Sequence, residues 1–455
     1  MSEVKIPEGY KQTEVGVIPK DWEVSNIKNI SLSPTQNGLF YEPQRKGKGV
    51  PLINVSDMYK SAPINVSLLE LFDATPNEMS IFKVNSGDLF FTRSSIVPSG
   101  IAFCNIFESK RNDVVFDSHL IRVQPNKNLI DSRYLYLNCI SQHARTALIS
   151  EAKTATMTTI DQAAINRCPV LIPPRKEQTA IATALSDVDN LIHSLEKLIT
   201  KKEAIKTATM QQLLSGKTRL PEFAIRDDGI AKGFKQTELG WIPEDWYICS
   251  LSDICDVRDG THASPKYKDN GVPLVTSKNI VNDILDLSNI SFISDEDAYE
   301  INKRSKVDYG DIIMSMIGTV GSAVLIDREP KFCIKNVALF KPKIDIGQYL
   351  IQLIHSSIFQ KYLYDGIDGG IQKFVSLATL RGLNVVIPRD IKEQTAIATI
   401  LSDMDNEIQA LQKRLDKTRD IKQGMMQQLL TGKVRLVSSD SSSTHPSADN
   451  GDCLA

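Results

Sequence analysis

Lys176–Asn190 reads KEQTAIATALSDVDN and Lys392–Asn406 reads KEQTAIATILSDMDN, with 13 of 15 positions identical at an offset of 216. Glu177–Leu214, which contains the first copy, has neither proline nor glycine. Pro173-Pro174 stand just upstream and Gly216 just beyond. That punctuation predicts one long helix with a proline start and a glycine stop. Apolar residues recur in a 4-3 spacing at Ile181, Leu185, Val188, Ile192, Leu195 and Ile199. The second copy gives Ile397, Leu401, Met404, Ile408, Leu411 and Leu415. This is a coiled-coil seam. At 1.5 Å per residue such a helix is about 57 Å long, and it needs a partner to bury its stripe. The other copy carries the matching stripe, so the expectation is two helices packed antiparallel about a pseudo-two-fold axis.

Two further blocks repeat on either side. Tyr10–Trp22 (YKQTEVGVIPKDW) returns as Phe234–Trp246 (FKQTELGWIPEDW), nine of 13 identical. Met210–Leu220 (MQQLLSGKTRL) returns as Met426–Leu436 (MQQLLTGKVRL), nine of 11 identical. Three blocks in the same order make the chain two homologous halves. The stretches between them, 23–173 and 247–388, are similar in length but share little identity. The frame is duplicated and the payload has diverged. Such a frame suggests two equivalent docking sites for a partner, and such a payload two different ligands or two different DNA half-sites.

Each divergent stretch reads as a mixed α+β globule. The first shows short apolar strands at Val50–Val55, Asp88–Thr92, Ile101–Asn105, His119–Val123 and Val170–Ile172, with a helix over Asp131–Ser150. The second repeats this order with Val272–Thr276, Asp311–Met314, Ala323–Ile326 and Val337–Lys341, a helix from Gly347, then Asn384–Ile387. The fold class is therefore α+β: two globules separated by two long antiparallel coiled-coil helices, in an internal pseudo-two-fold repeat.

Polar loops between the strands are the candidate nucleic-acid contacts. In the first half they are Arg45, Lys46 and Lys48 in a glycine-rich loop, Arg93-Ser94-Ser95 after a strand, and Lys153, Thr154, Thr156 and Thr158. Glycines let backbone amides approach phosphates, and arginine is the usual reader of guanine edges. In the second half they are Arg258, Thr261, His262, Lys266, Tyr267, Ser277, Lys278 and Asn279, with Gln372 and Lys373 before the last strand. Positions kept near-identical on the helices are candidates for subunit docking: Lys176, Gln178, Thr179, Asp187 and Asp189, matched by Lys392, Gln394, Thr395, Asp403 and Asp405.

Hydrophobic residues make up 42% and charged residues 24%, an ordinary globular balance. The net charge of −2 is low for a nucleic-acid binder, which predicts modest affinity without help from other subunits. The seven cysteines are scattered with no Cys-x-x-Cys, so neither a disulfide framework nor a zinc site is expected, and a reducing cytoplasm is the expected compartment. No apolar run is long enough to span a bilayer, and the first residues lack a signal-peptide pattern. The serine-rich stretch from 437 to 455 reads as disordered.

These blocks resemble the DNA-specificity subunits of type I restriction–modification enzymes over nearly the whole chain. The similarity rests on Ile18-Pro19-Lys20-Asp21-Trp22 and Ile242-Pro243-Glu244-Asp245-Trp246. It rests also on the helix openings Pro173-Pro174-Arg175-Lys176-Glu177-Gln178 and Pro388 with Lys392-Glu393-Gln394, and on Asp259-Gly260-Thr261-His262. In the first half Pro34-Thr35-Gln36-Asn37-Gly38 replaces that last segment. The resemblance implies an N-terminal repeated segment (1–22), a target-recognition domain (23–173), a spacer helix (174–220) and a linker with the second N-terminal segment (221–246). A second recognition domain (247–388), a second spacer (389–436) and the tail (437–455) follow. It further implies that each domain reads one half of a bipartite, asymmetric site on double-stranded DNA, with half-sites about one helical turn apart. By the same resemblance, two modification subunits are expected to supply the adenine methyltransferase and S-adenosylmethionine. Restriction subunits, the ATP- and magnesium-using motor–nucleases, are expected to join for cleavage. On this resemblance the chain itself is expected to bind no cofactor or metal and not to be an enzyme on its own.

Other chemistries fit poorly. Gly216-Lys217-Thr218 lacks the glycine five residues earlier that a P-loop needs, position 211 being glutamine, and the second copy loses the hydroxyl. Asp88 with Glu108-Ser109-Lys110, and Asp311 with Glu329-Pro330-Lys331, mimic nuclease spacing without supporting context. No methyltransferase motif is present. A pure coiled-coil scaffold does not account for two well-formed globules.

Overall fold

A computed structural model describes residues 6–154, 157–318, 320–365 and 374–437. The chain folds as two compact units that do not follow chain order: the first comprises the described residues up to 194 together with those from 415 to 437, the second the described residues between 195 and 414. Each long helix, Arg175–Leu214 and Ile391–Leu429, therefore gives one part to each unit. A division in chain order misses this, because the block that ends each helix belongs with the opposite half's globule.

In the first unit a four-stranded antiparallel sheet runs in the order Gln36–Asn37, Leu120–Val123, Leu89–Thr92, Cys104–Ile106. A three-stranded sheet adds Val115–Phe116, parallel, and Glu70–Phe72, antiparallel, to Lys46–Ile53. The strands at the sheet centre, Leu89–Thr92 and Leu120–Val123, are buried throughout, which accounts for their mostly apolar sequences; the buried Arg122 in the second donates to the Lys83 carbonyl at 2.6 Å. The helix expected over 131–150 is two, Ser132–Ile140 and Gln142–Ser150. Ser141 makes the break: its side chain accepts from the Ala144 amide at 3.3 Å and caps the second helix. Glu23–Asn26 pairs with Pro169–Ile172 and closes the globule.

The second unit repeats this plan with unrelated residues. Its sheet runs Cys255–Asp259, Val337–Pro342, Ile312–Ser315, Ala323–Leu325. Cys333–Ile334 lies parallel to Val272–Val275, with Ser291–Ile293 on the other side. Helices Gly347–His355 and Ser357–Asp365 are again split at a serine, Ser356, whose hydroxyl caps Phe359. Trp246–Ser250 pairs with Asn384–Pro388.

The helical stripe divides its work. Ile181 and Leu185 join the core of the first globule, and Ile397 and Leu401 that of the second. Only the later positions are left for helix against helix. In the second unit Lys202 pairs with Glu407 at 2.7 Å and Lys206 with Asp405. One number rises as the other falls, so the helices run antiparallel there. In the first unit Lys422 pairs with Asp189 at 2.6 Å, the counterpart of Lys206–Asp405. The cationic ends of the two seams therefore form cross-helix ion pairs.

Candidate nucleic-acid interface

In both units the loop after the sheet's outer strand is set by a glycine. A Cβ on Gly38 would lie 2.0 Å from the Phe116 carbonyl oxygen, and one on Gly260 would lie 2.5 Å from that of Ile334. Only glycine permits the bridges that follow, Leu39 with Asp117 and Thr261 with Lys335. The segment at 34–38, divergent in sequence, is thus the structural equivalent of 256–260. Phe40 occupies the place of His262. The facing turn is Asp117-Ser118-His119 in the first unit and the shorter Lys335-Asn336 in the second.

Two separately chosen segments of the first unit meet at this sheet end. Ser94–Ser95, Thr158–Thr159 and Lys153–Thr154 form one small antiparallel sheet, pairing Thr159 with Ser94 and Thr158 with Ser95. Arg93 is fixed by its backbone, its N–H donating to the His119 carbonyl at 2.9 Å and its carbonyl accepting from Ile160 at 3.0 Å. Its side chain is exposed, and it makes no hydrogen bond or ion pair with a described residue. Arg93, Ser94, His119, Lys153 and Thr159 line a common cleft. His119, absent from the sequence candidates, is held by Asp117 at 2.8 Å. Thr158 is buried and bonds to the Thr154 hydroxyl at 3.2 Å, so it supports the strand rather than facing a ligand. Thr156, Gln372 and Lys373 lie outside the described residues, as does the tail from 438.

The basic loop at 44–49 is different from its sequence reading. Arg45 is engaged by Glu78, by the Asp73 carbonyl at 3.0 Å, and by the Phe72 ring face at 4.5 Å. The Arg45 guanidinium holds the Glu78 carboxyl down at about 2. This arginine is a structural tie, not a free reader. Lys46 pairs with Glu70 at 2.7 Å and Lys48 with Asp73 at 2.9 Å. Those exposed pairs are weak and exchange readily for phosphate.

In the second unit His262 bridges Asp259 at 2.6 Å and the Asn336 side chain at 2.7 Å. Ser277 donates to the Asn336 carbonyl at 3.1 Å. Lys335 lies 3.1 Å from the Ser264 hydroxyl and 5.9 Å from the Tyr267 ring centre. The turn at 335–336 thus gathers Thr261, His262, Ser277 and Tyr267 into one cluster, with Lys266 and Lys278 exposed on the same loops. Lys335 and Asn336 were missed because a Lys-Asn pair between two strands has no motif. Its signal is the left-handed backbone of Asn336, φ +54°. Two sequence candidates leave the interface. Arg258 turns back onto Asp256 at 2.8 Å and the Arg304 carbonyl at 3.1 Å. Asn279 is buried, accepting from the Thr276 amide and donating to the carbonyls of Asp286 and Asn289.

The repeated blocks meet in a clasp, once per unit. The Trp22 indole N–H donates to Glu177 Oε2 at 3.0 Å, and Arg435 grips both oxygens of Glu177, at 2.6 and 2.8 Å, and both of Asp21. In the second unit Trp246, Glu393, Arg219 and Asp245 repeat every one of these bonds. Gly432 and Gly216, at φ +69° and +68°, stop the helices where Pro19 and Pro243 leave no room for a side chain. That settles the Gly-Lys pairs as helix stops. Gln178 and Gln394 are also structural: both are buried, and their amides donate to the Pro173 and Pro388 carbonyls at 2.9 and 2.7 Å. They are removed from the docking set. Lys176, Thr179, Asp187, Lys392, Thr395 and Asp403 are exposed, while Asp189 and Asp405 are taken by the cross-helix lysines.

A protein-family model for the type I restriction modification DNA specificity domain matches residues 19–207 and again 243–418. The chain belongs to this family. The two matches begin within the Ile-Pro-x-x-Trp blocks and cover both globules with most of both helices. The MjaVIII type I restriction enzyme specificity subunit of Methanocaldococcus jannaschii is 25% identical over 443 residues, 94% of this chain and 96% of that one. The EcoKI specificity subunit of Escherichia coli K12 is 24% identical over 192 residues, 42% of this chain and 41% of its own. In fold the chain is similar to the type I restriction–modification S subunit of M. genitalium, with a TM-score of 0.56 at 13% identity, covering 94% of this chain and 98% of that one. A specificity subunit is a non-catalytic component of its enzyme, and so is this one. Among the described residues no group of histidine, cysteine and carboxylate side chains could hold a metal ion, and no helix is long and apolar enough to cross a membrane. Asp88 is buried and accepts from the Asn85 amide, while Glu108 pairs with Arg133 at 2.6 Å, so both carboxylates of the first nuclease-like spacing are engaged in other bonds.

Proposed function

We propose that this specificity subunit reads a bipartite, asymmetric sequence on double-stranded DNA, one half with each unit. By doing so it directs adenine methylation and DNA cleavage by partner subunits. One observation carries the reading: each unit has the same clasp and a loop turned on an equivalent glycine, Gly38 or Gly260, while the side chains around those glycines differ between the units. A common frame with unlike readers suits two unlike half-sites on one duplex. The expected partners are two modification subunits, docked through the exposed positions repeated on the helices, and restriction subunits. S-adenosylmethionine, ATP and magnesium belong to those partners, and the expected compartment is the cytoplasm. Asp187 and Asp403, on equivalent helical turns, are the pair through which the two methyltransferases would be held alike.

The test is to co-express the chain with its modification subunit and map methylated adenines by single-molecule sequencing. A split motif that is lost on deletion of the chain, and altered on one side only when residues 23–173 are exchanged for those of another specificity subunit, supports the reading. Unchanged methylation on deletion overturns it.

A further inference from the structure

We propose that the first unit recognises its half-site partly through the C5-methyl groups of thymines, using Phe40 and Ile96. The second unit relies on hydrogen bonds at the equivalent place. This rests on the reading above, that each unit faces one half of a DNA site.

Phe40 is 81% exposed and Ile96 is 86% exposed, the two most exposed large apolar side chains among the described residues. Single exposed apolar residues are ordinary. Here the two extremes stand at one sheet end. Phe40 follows Leu39, whose backbone bonds to Phe116 and Ser118. Ile96 follows the Ser94–Ser95 strand, which continues from Arg93, itself bonded to His119. The cleft beside Arg93 also holds His119 and Lys153 with two carboxylates; Glu151 is paired with Arg167 and Asp161 caps the helix at Ala164, so the side chains left to face a polyanion are Arg93, His119 and Lys153.

Comparison with the second unit sharpens the assignment. Phe40 stands where His262 stands, beside a glycine pressed against the same carbonyl position. His262 is tied into a polar cluster with Asp259 and Asn336, whereas Phe40 has no polar atom to offer. Arg93 is replaced in the second unit by Met316, which is buried. The first unit therefore pairs a free guanidinium with apolar contacts. On a DNA edge, a guanidinium reads guanine, and an apolar side chain reads the thymine methyl, the one apolar group in the major groove.

The experiment uses the complex of this chain with its modification subunit and a duplex bearing the mapped motif. Each thymine of the first half-site is replaced in turn by deoxyuridine, which removes only the methyl. Covering one methyl corresponds to a loss of roughly threefold to tenfold in affinity at one or two positions. Phe40→Ala should weaken binding to the thymine duplex by a similar factor and abolish the difference between thymine and deoxyuridine. Ile96→Ala should do the same at a neighbouring position. His262→Ala should leave the deoxyuridine effect intact, and unchanged unfolding temperatures check the exposed variants. A half-site without an A·T pair overturns the proposal, as does indifference to deoxyuridine at every position, or discrimination that survives both substitutions. In each of those cases the split motif still stands, so the loss falls on this inference alone. Absence of any motif dependent on the chain instead removes the underlying reading.

Discussion

The Trp22 indole N–H donates to Glu177 across 155 residues of sequence, at 3.0 Å and with both side chains almost fully buried. Arg435, which neutralises that glutamate, comes from the far end of the second helix. Removing it leaves a buried carboxylate with one neutral donor. Arg435→Ala is therefore expected to destabilise the first unit by about 2–4 kcal/mol, at the lower side of the buried-pair range because the arginine is partly exposed. Arg219→Ala should do the same to the second unit only. Hydrogen exchange resolves them: protection should fall in 10–26 for the first variant and in 234–250 for the second. Equal loss in both units from either variant would contradict two separate clasps.

The clasps also set an acid limit. Burial pushes the Asp245 carboxyl up, but Arg219 and Lys232 outweigh it and hold it at about 2, below the ordinary 3.8. The Arg435 hydrogen bond likewise lowers Asp21. A carboxyl depressed on folding contributes stability that is full above its unfolded value and lost as pH falls through the folded one. The unfolding temperature should thus drop between about pH 4 and pH 2, and Asp245→Asn should flatten that drop for the second unit. A variant as acid-sensitive there as the parent would show that other carboxylates set the limit.

Arg45 stands in a glycine-rich basic loop but is committed to Glu78 and Phe72. Arg45→Ala should lower the unfolding temperature while leaving the salt dependence of DNA binding unchanged. Lys48→Ala should reduce that slope by close to one phosphate contact without affecting stability. Isothermal binding at several salt concentrations separates the two. A slope reduced by Arg45→Ala would return this arginine to the interface.

The frame was legible in the sequence because it is written twice. Repetition exposed the helices, their polarity and the halves, and glycine and proline marked the helix ends. Repetition could not reveal that Arg435 serves Glu177 rather than its own half's Glu393, since both glutamates stand in the same motif. It also made Gln178 look like a docking residue, when its constancy comes from a buried bond to the Pro173 carbonyl. The interface was less legible. Arg93 and Lys153 were found by chemistry alone, but their meeting depends on the long-range strand pairing of Ser94 with Thr159 and of Ser95 with Thr158. Phe40 was passed over because polar residues were sought, and its exposure is a fact of three dimensions.

Asn336 carries the last prediction, since it joins backbone and side-chain roles in one residue. Its φ of +54° lets its amide reach the Thr261 carbonyl at 3.2 Å, while its side chain holds His262 at 2.7 Å. Asn336→Gly keeps the turn, because glycine adopts positive φ without cost, and removes only the hold on His262. Asn336→Ala removes the same hold and adds strain of about 1 kcal/mol or more from the left-handed backbone. Both variants should therefore loosen sequence discrimination in the second half-site, but only the alanine variant should lower the unfolding temperature. Methylome mapping reads the first effect, as relaxed sequence at positions of that half alone, and thermal unfolding the second. Full discrimination in the glycine variant would mean that His262 needs no partner, and would move the reading of that half to Lys278 and its neighbours.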